Sequence, residues 1–245
     1  MGILSWLVGK GTVLYYPGCM TSFVLKDKLE NYKQILNILG IDFIILPEAK
    51  CCGSPVLNAG YEKDSHEIAK FNLELFKKKK ISRIITNCPA CFKVFSQDYK
   101  KLVPGWDVNT EHITITILDA LKSNPGLVKH TAGEKIIYHD PCHLGRHSGI
   151  YEEPRQLLKL LGYEVAELAN NRQNALCCGA GAGVKANNNE LANSIAKKVF
   201  EQAQATNVKK IISTCPLCFS QFKENFDKQG IEVIEFSDAV LGALK

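Results

Sequence analysis

Ten cysteines recur in one order twice along the 245 residues: a single cysteine, an adjacent pair, then Cys-x-x-Cys. The first set is Cys19, Cys51, Cys52, Cys88 and Cys91, and the second is Cys142, Cys177, Cys178, Cys215 and Cys218. Between the single cysteine and the pair lie 31 residues in the first set and 34 in the second; between the pair and Cys-x-x-Cys lie 35 and 36. The flanks repeat too. Ile84-Ile85-Thr86-Asn87-Cys88-Pro89-Ala90-Cys91-Phe92 matches Ile211-Ile212-Ser213-Thr214-Cys215-Pro216-Leu217-Cys218-Phe219, and Cys51-Cys52-Gly53 matches Cys177-Cys178-Gly179. Such self-similarity is the mark of a duplicated unit. It predicts two lobes, residues 1–125 and 126–245, each long enough to bury a core.

Within each half, short β-rich runs alternate with helical periodicity. Val13–Tyr16, Phe43–Leu46 and Arg83–Thr86 are predicted strands, separated by helices over Phe23–Leu39 and His66–Lys79. The second half predicts strands at Lys135–Tyr138, Glu164–Leu168 and Lys210–Ser213 and helices at Pro154–Leu161 and Asn189–Gln204. The stretch from Leu102 to Gly133, with Pro104-Gly105 and Pro125-Gly126, is predicted to end the first lobe and connect it to the second. The fold class expected is α/β: two duplicated Rossmann-like lobes with parallel sheets, related by a pseudo-two-fold axis. Each cysteine group then falls just beyond a strand, where helix N-termini offer free N–H groups to an anionic ligand.

Composition excludes several classes. Apolar residues make up 46% and charged residues 22%, the balance of an ordinary globular protein. The formal charge of +5 counts the cysteines as neutral, and metal-bound thiolates would turn the balance acidic, so nucleic-acid binding has little support. The densest basic run, Lys77 to Lys80, suits a solvated helix C-terminus. No stretch reaches the roughly 18–20 apolar residues of a membrane span. Met1 to Val8 is apolar but too short for a span and lacks the features of a signal peptide, and it is expected to pack on the body or on a partner subunit. The expected location is cytoplasmic, membrane-associated only through a partner. In that reducing compartment, many cysteines argue for metal or redox chemistry rather than disulfides.

Cys-x-x-Cys places two sulfurs on one metal centre, and Pro89 and Pro216 fix φ inside it. The adjacent pair is more telling. Neighbouring side chains rarely serve one small tetrahedral ion but reach different irons of a cluster with ease, and five sulfurs exceed the four that close a zinc site. Iron–sulfur in both sets, iron–sulfur in one with zinc in the other, and zinc or disulfides throughout all stand as readings. The Gly179-to-Gly183 run, Gly-Ala-Gly-Ala-Gly, lacks a dinucleotide or phosphate-loop fingerprint and instead allows close backbone approach. No paired carboxylates or Ser-His-Asp order support hydrolytic chemistry.

The pattern Cys-x31-Cys-Cys-Gly-x34-Cys-Pro-x-Cys, repeated in the second half with spacers of 34 and 35, resembles the cysteine-rich CCG family, and the resemblance covers the chain from Val13 onward. That family includes the B subunit and the C-terminal part of the D subunit of heterodisulfide reductase. It also includes iron–sulfur subunits of lactate, glycolate and glycerol-3-phosphate dehydrogenases. For the heterodisulfide reductase type the resemblance implies two non-cubane four-iron clusters, each held by all five cysteines of a set, with a disulfide split between them. The closely spaced cysteines of a ferredoxin-like region do not occur here. A separate electron donor or acceptor subunit, ferredoxin-like or a flavoprotein, is therefore implied.

Around Cys142 the chain reads His139-Asp140-Pro141-Cys142-His143-Leu144-Gly145-Arg146-His147, where the first half has Tyr16-Pro17-Gly18-Cys19-Met20-Thr21. His143 and Arg146 are candidate catalytic residues, able to bind an anionic substrate or hydrogen-bond cluster sulfurs, with His139 and His147 as weaker candidates and Tyr16 as a packing residue. Three functions remain in view at this point. They are disulfide reduction between two clusters, electron relay from a flavin dehydrogenase, and a zinc-stabilised docking module.

Overall fold

The structure, a computed structural model, describes residues 11–129 and 133–245; the apolar segment Met1 to Val8 lies outside them. The first half runs β1 (Thr12–Tyr15), α1 (Lys26–Ile38), α2 (Ser54–Asn58), α3 (Glu62–Lys78), β2 (Ile81–Thr86), α4 (Pro89–Lys93), α5 (Tyr99–Leu102), β3 (Asn109–His112) and α6 (Ile113–Ser123). The second runs β4 (Glu134–His139), α7 (Glu152–Leu160), β5 (Tyr163–Glu167), α8 (Val184–Asn187), α9 (Asn189–Ala205), β6 (Lys210–Ser213), α10 (Pro216–Phe226), β7 (Glu232–Glu235) and α11 (Phe236–Ala243).

All named strand pairs are parallel, in the orders β1-β2-β3 and β5-β4-β6-β7. Ile44 bridges Leu14 on the outer side of β1, which gives the first sheet the order of the second. The predicted strand Phe43–Leu46 thus shrinks to a single bridge. Pro47 has no N–H to extend the pairing. The stretch Leu102–Gly133, expected to end the first lobe and connect it to the second, holds β3 and α6, which complete the first half.

Alternation along the strands explains the layers. Tyr15, Ile85, Ile136, Tyr138 and Ile212 face a shared core with α1, α6, α7 and α11. Leu14 and Ile84 face the other way onto α3 and the α4–α5 segment, while Ile137 and Ile211 face α9 and α10. Across the shared core α1 packs on α11 and α6 on α7. Since α1 corresponds to α7 and α6 to α11, each contact is the other with the halves exchanged, as a pseudo-two-fold axis requires.

Local chemistry sets the element ends. Helix α3 starts four residues before its predicted start because Glu62 and Asp64 favour the positive end of its dipole, and it closes on exposed Lys77 and Lys78. The predicted helix over Phe23–Leu39 divides into a π-helical turn, Met20–Val24, and α1. Among the described residues no helix is long and apolar enough to cross a membrane.

Candidate metal centre

All ten cysteines line one cavity of about 560 Å3 beyond the carboxyl ends of both sheets. Cys19 and Cys142 lie on the loops after β1 and β4. Cys88 and Cys215 immediately precede α4 and α10, whose first residues are Pro89 and Pro216, and Cys91 and Cys218 follow one helical turn on. The pairs Cys51-Cys52 and Cys177-Cys178 come in on loops and are followed by Gly53 and Gly179, at φ of 86° and 88°. Gly18, at φ of 74°, brings its backbone so near the first set that a Cβ there would stand 3.2 Å from Cys91 Sγ. Gly179 is pinned differently: a Cβ would lie 2.4 Å from the Ala192 carbonyl of α9, so its glycine serves helix packing.

Each set forms a chain of sulfur–sulfur contacts in the same order. In the first half Cys19 meets Cys51, Cys51 meets Cys52, Cys52 meets Cys91 and Cys91 meets Cys88. In the second, Cys142, Cys177, Cys178, Cys218 and Cys215 repeat it, with Cys218 Sγ donating to Cys178 Sγ at 3.2 Å. Hydrogen bonds from Cys19 and Cys52, then from the Gly53 and Cys52 N–H groups, hold the Cys51 thiol down at about 2. Cys177 is held at about 2 by Cys142, Cys178 and the Gly179 N–H. Their partners go the other way. Cys19 is pushed up by its hydrogen bond to Cys51 and then by burial, and Cys142 by its bond to Cys177 and then by burial.

Five crowded sulfurs resist becoming thiolates together unless a multiply charged cation lies among them. All ten are free thiols. Among the described residues, no three Cys, His, Asp or Glu side chains converge as one metal ion would require. Strung along the cavity walls, the sulfurs suit a polynuclear core better than a single ion.

The two halves hold their sulfurs by equivalent bonds made from different side chains. The Tyr16 hydroxyl donates to the Lys50 carbonyl at 2.9 Å, just before Cys51, and His139 Nε2 bonds the Leu176 carbonyl at 3.0 Å, just before Cys177. The Tyr15 hydroxyl bonds Asn87 at 3.1 Å, and the Tyr138 hydroxyl bonds Thr214 at 3.1 Å, each partner preceding a Cys-x-x-Cys. Buried Asn72 adds bonds to the Lys50 N–H and the Cys51 carbonyl. In the second half buried Arg155 grips Asp140 through two bonds of 2.7 and 2.8 Å and so fixes the loop that carries Cys142. Sequence reasoning missed Arg155 and Asn72 and took Tyr16 for packing alone. Aligning Tyr16 with His139 and Lys50 with Leu176 across the repeat was the available signal.

His143 lines the cavity with Nδ1 3.4 Å from Cys142 Sγ, and burial, then His147 and Lys93, holds its pKa down. Arg146 turns elsewhere, donating to the Gln173 and Ala175 carbonyls at 3.1 and 3.0 Å. The His147 ring lies tilted against that of His143, centroids 5.0 Å apart. His139 is buried and its pKa lowered by that burial, which makes it a neutral donor to the loop. Ala180 to Gly183 of the Gly-Ala run form part of the wall.

The cysteine-rich domain named CCG matches residues 13–96 and again 136–223. Among curated proteins the chain is similar to the D subunit of the dihydromethanophenazine:CoB–CoM heterodisulfide reductase of Methanosarcina acetivorans, 33% identical over 97% of this chain and 60% of that protein. It is similar to the B subunit of the fumarate reductase (CoM/CoB) of Methanothermobacter marburgensis, 29% identical over 89% of this chain and 42% of the relative. An EtfAB:quinone oxidoreductase of Syntrophomonas wolfei is 30% identical over 86% of this chain and 31% of that protein. The chain therefore spans between about a third and three fifths of these relatives. With two complete copies of the motif and both domain matches in place, the chain belongs to the CCG family of cysteine-rich domains.

Proposed function

We propose that this chain is an iron–sulfur oxidoreductase subunit that carries one cluster on each cysteine set and reduces a disulfide between them. The convergence of all ten sulfurs on one cavity, set facing set, carries this reading. Cys19, Cys51, Cys52, Cys88 and Cys91 would hold one non-cubane four-iron cluster, and Cys142, Cys177, Cys178, Cys215 and Cys218 the other. When bound, the clusters supply electrons one at a time from opposite walls. The chain's residues hold the sulfurs in place, keep bulk water from the buried members of each set, and set His143 where it can hydrogen-bond a departing sulfur. Arg146 acts as a positioning residue through the loop it ties down. The overall change is R–S–S–R + 2 e⁻ + 2 H⁺ → 2 RSH, with electrons from a ferredoxin-like or flavoprotein partner. That partner is the route by which a subunit of this kind, cytoplasmic in this reading, would reach a membrane. The two lobes divide near residue 125.

A relay role in a flavin-linked complex is the second reading, favoured by the similarity to an EtfAB:quinone oxidoreductase. Zinc in either set is the weaker fit, since five sulfurs exceed the four that close a zinc site. Iron and acid-labile sulfide on anaerobically purified protein test the core of this. About eight irons per chain are expected, falling by about half in Cys52→Ser or Cys178→Ser; about two zinc ions and no sulfide would overturn it. A thiol-dependent paramagnetic signal then favours disulfide chemistry, and its absence with full iron favours relay.

A further inference from the structure

Apart from its sulfurs, the cavity between the two cysteine sets is lined by no acidic side chain, lysine or arginine among the described residues. Its polar side chains besides the sulfurs are Ser54, Asn58, Asn187 and His143. Cations beside the cavity turn to other groups: Lys93 to Asp98 at 2.7 Å, Lys185 to Glu224 at 2.6 Å, Arg146 to backbone carbonyls, and Lys50, next to Cys51, to the Phe71 ring at 4.4 Å. The rest of the wall is small or apolar, as at Met20, Pro55, Ala90, Ala180 and Leu217.

Two carboxamides hold matching places on the rim. Asn58 ends α2 after the first adjacent pair, and Asn187 ends α8 after the second. Each points one N–H back into its own turn, to Ser54 Oγ at 3.4 Å and to the Gly183 carbonyl at 2.8 Å. An amide offers a donor and an acceptor without charge. An anion entering here would meet thiolate-ligated cores of net negative charge and no compensating cation.

Resting on the disulfide-reductase reading, we infer that this cavity takes an uncharged, largely apolar organic disulfide, with Asn58 and Asn187 recognising neutral polar groups at its two ends. Sulfonate-, phosphate- or carboxylate-bearing disulfides are disfavoured by the same wall. Two unit charges about 10 Å apart at an effective dielectric of ~20 repel enough to lower affinity roughly tenfold per added carboxylate.

A matched pair of probes tests this on the anaerobic, cluster-loaded protein, with iron and sulfide measured on each sample. Dimethyl 3,3′-dithiodipropionate is neutral, and 3,3′-dithiodipropionate is its dianion. Isothermal titration calorimetry on the oxidised protein, without an electron donor, should give the ester at least a tenfold lower Kd. Asn58→Lys and Asn187→Lys, with iron content intact, should recover dianion binding, while Asn58→Ala/Asn187→Ala should weaken the ester. A dianion that binds the parent protein as tightly as the ester overturns the inference and leaves the disulfide site standing. Binding of neither probe to fully loaded protein overturns both and returns the chain to electron relay.

Discussion

Replacing Arg155 by methionine should be the most damaging single change outside the cysteines. Its side chain is 4% exposed and that of Asp140 is 2% exposed. The guanidinium makes two bonds to Asp140, two to Glu167 at 2.7 and 2.8 Å, and one to the Tyr151 carbonyl at 2.6 Å, and it lies over the Tyr138 ring. Without it, Asp140 stays buried with the Arg172 backbone N–H, at 2.8 Å, as its remaining bond. Breaking a buried pair from one side costs about 3–5 kcal/mol, because the surviving charge is left uncompensated. The Glu167 half adds less, about 1 kcal/mol at most, since that carboxylate is 35% exposed and water can replace the arginine. For a chain of this size the total corresponds to a fall in Tm of roughly 6–24 °C. Urea unfolding of the anaerobic protein, followed by far-UV circular dichroism, measures it. Arg155→Met/Asp140→Asn should regain part of the loss by removing the orphaned charge, and Cys142 should alkylate faster in the single variant. A loss below about 1 kcal/mol in Arg155→Met would refute the reasoning, because it would mean Asp140 finds water that the packing excludes.

Three further outcomes follow from local geometry. Gly179→Ala should cost more than Gly53→Ala: both carry positive φ, worth about 1 kcal/mol, but only Gly179 would also drive a Cβ into α9, whereas the nearest atom to a Cβ at Gly53 is 3.5 Å away. Equal unfolding midpoints for the two variants would contradict this. His112 is buried and its pKa is driven down to about 3, chiefly by burial, so below about pH 6.5 the unfolded chain takes a proton that the folded one refuses. Stability should therefore fall with decreasing pH at about 1.4 kcal/mol per unit for this group, down to its folded pKa. His112→Asn, which keeps an acceptor for the Thr114 N–H at the start of α6, should flatten that slope in unfolding curves between pH 7.5 and 5. Tyr16→Phe removes the bond to the Lys50 carbonyl and should cost about 1–2 kcal/mol, with faster amide exchange confined to residues 50–53; unchanged exchange there would show that Asn72 alone holds the loop.

The sulfur positions were legible because spacing and order survive in sequence even when the intervening residues differ. The central strands were equally plain, since Arg83–Thr86 and Lys210–Ser213 carry β-branched residues with an apolar face on each side of a sheet. Strand β3 was hidden because Asn109-Thr110-Glu111-His112 is polar, and it is a strand only because Arg83 to Thr86 pair with it and Arg83 meets Glu111 at 2.6 Å. Strand β7 was hidden by its length, with two apolar residues between glutamates. Such edge strands take their conformation from the neighbouring ladder rather than from their own propensity. Arg146 shows a different limit: sequence places a guanidinium four residues from Cys142, but only the fold shows the carbonyls of Gln173 and Ala175 that claim it.

The repeat duplicates the positions of the sulfurs without duplicating their surroundings. Tyr16 and His139 bond the same carbonyl position, but one presents a phenol and the other a neutral imidazole. Cys19 and Cys51 are exposed, whereas their counterparts Cys142 and Cys177 are partly covered. His143 lies against Cys142 at 3.4 Å, and the first half has no equivalent of the Arg155–Asp140 clamp among the described residues. A loop clamped by a buried ion pair is held more rigidly than one held by hydroxyl and amide bonds to backbone. Metal-binding sulfurs are tuned by hydrogen bonding and by solvent as well as by their number. Two sets built on one geometry, one more exposed than the other, are therefore chemically unequal, and an asymmetric partner or substrate can tell them apart.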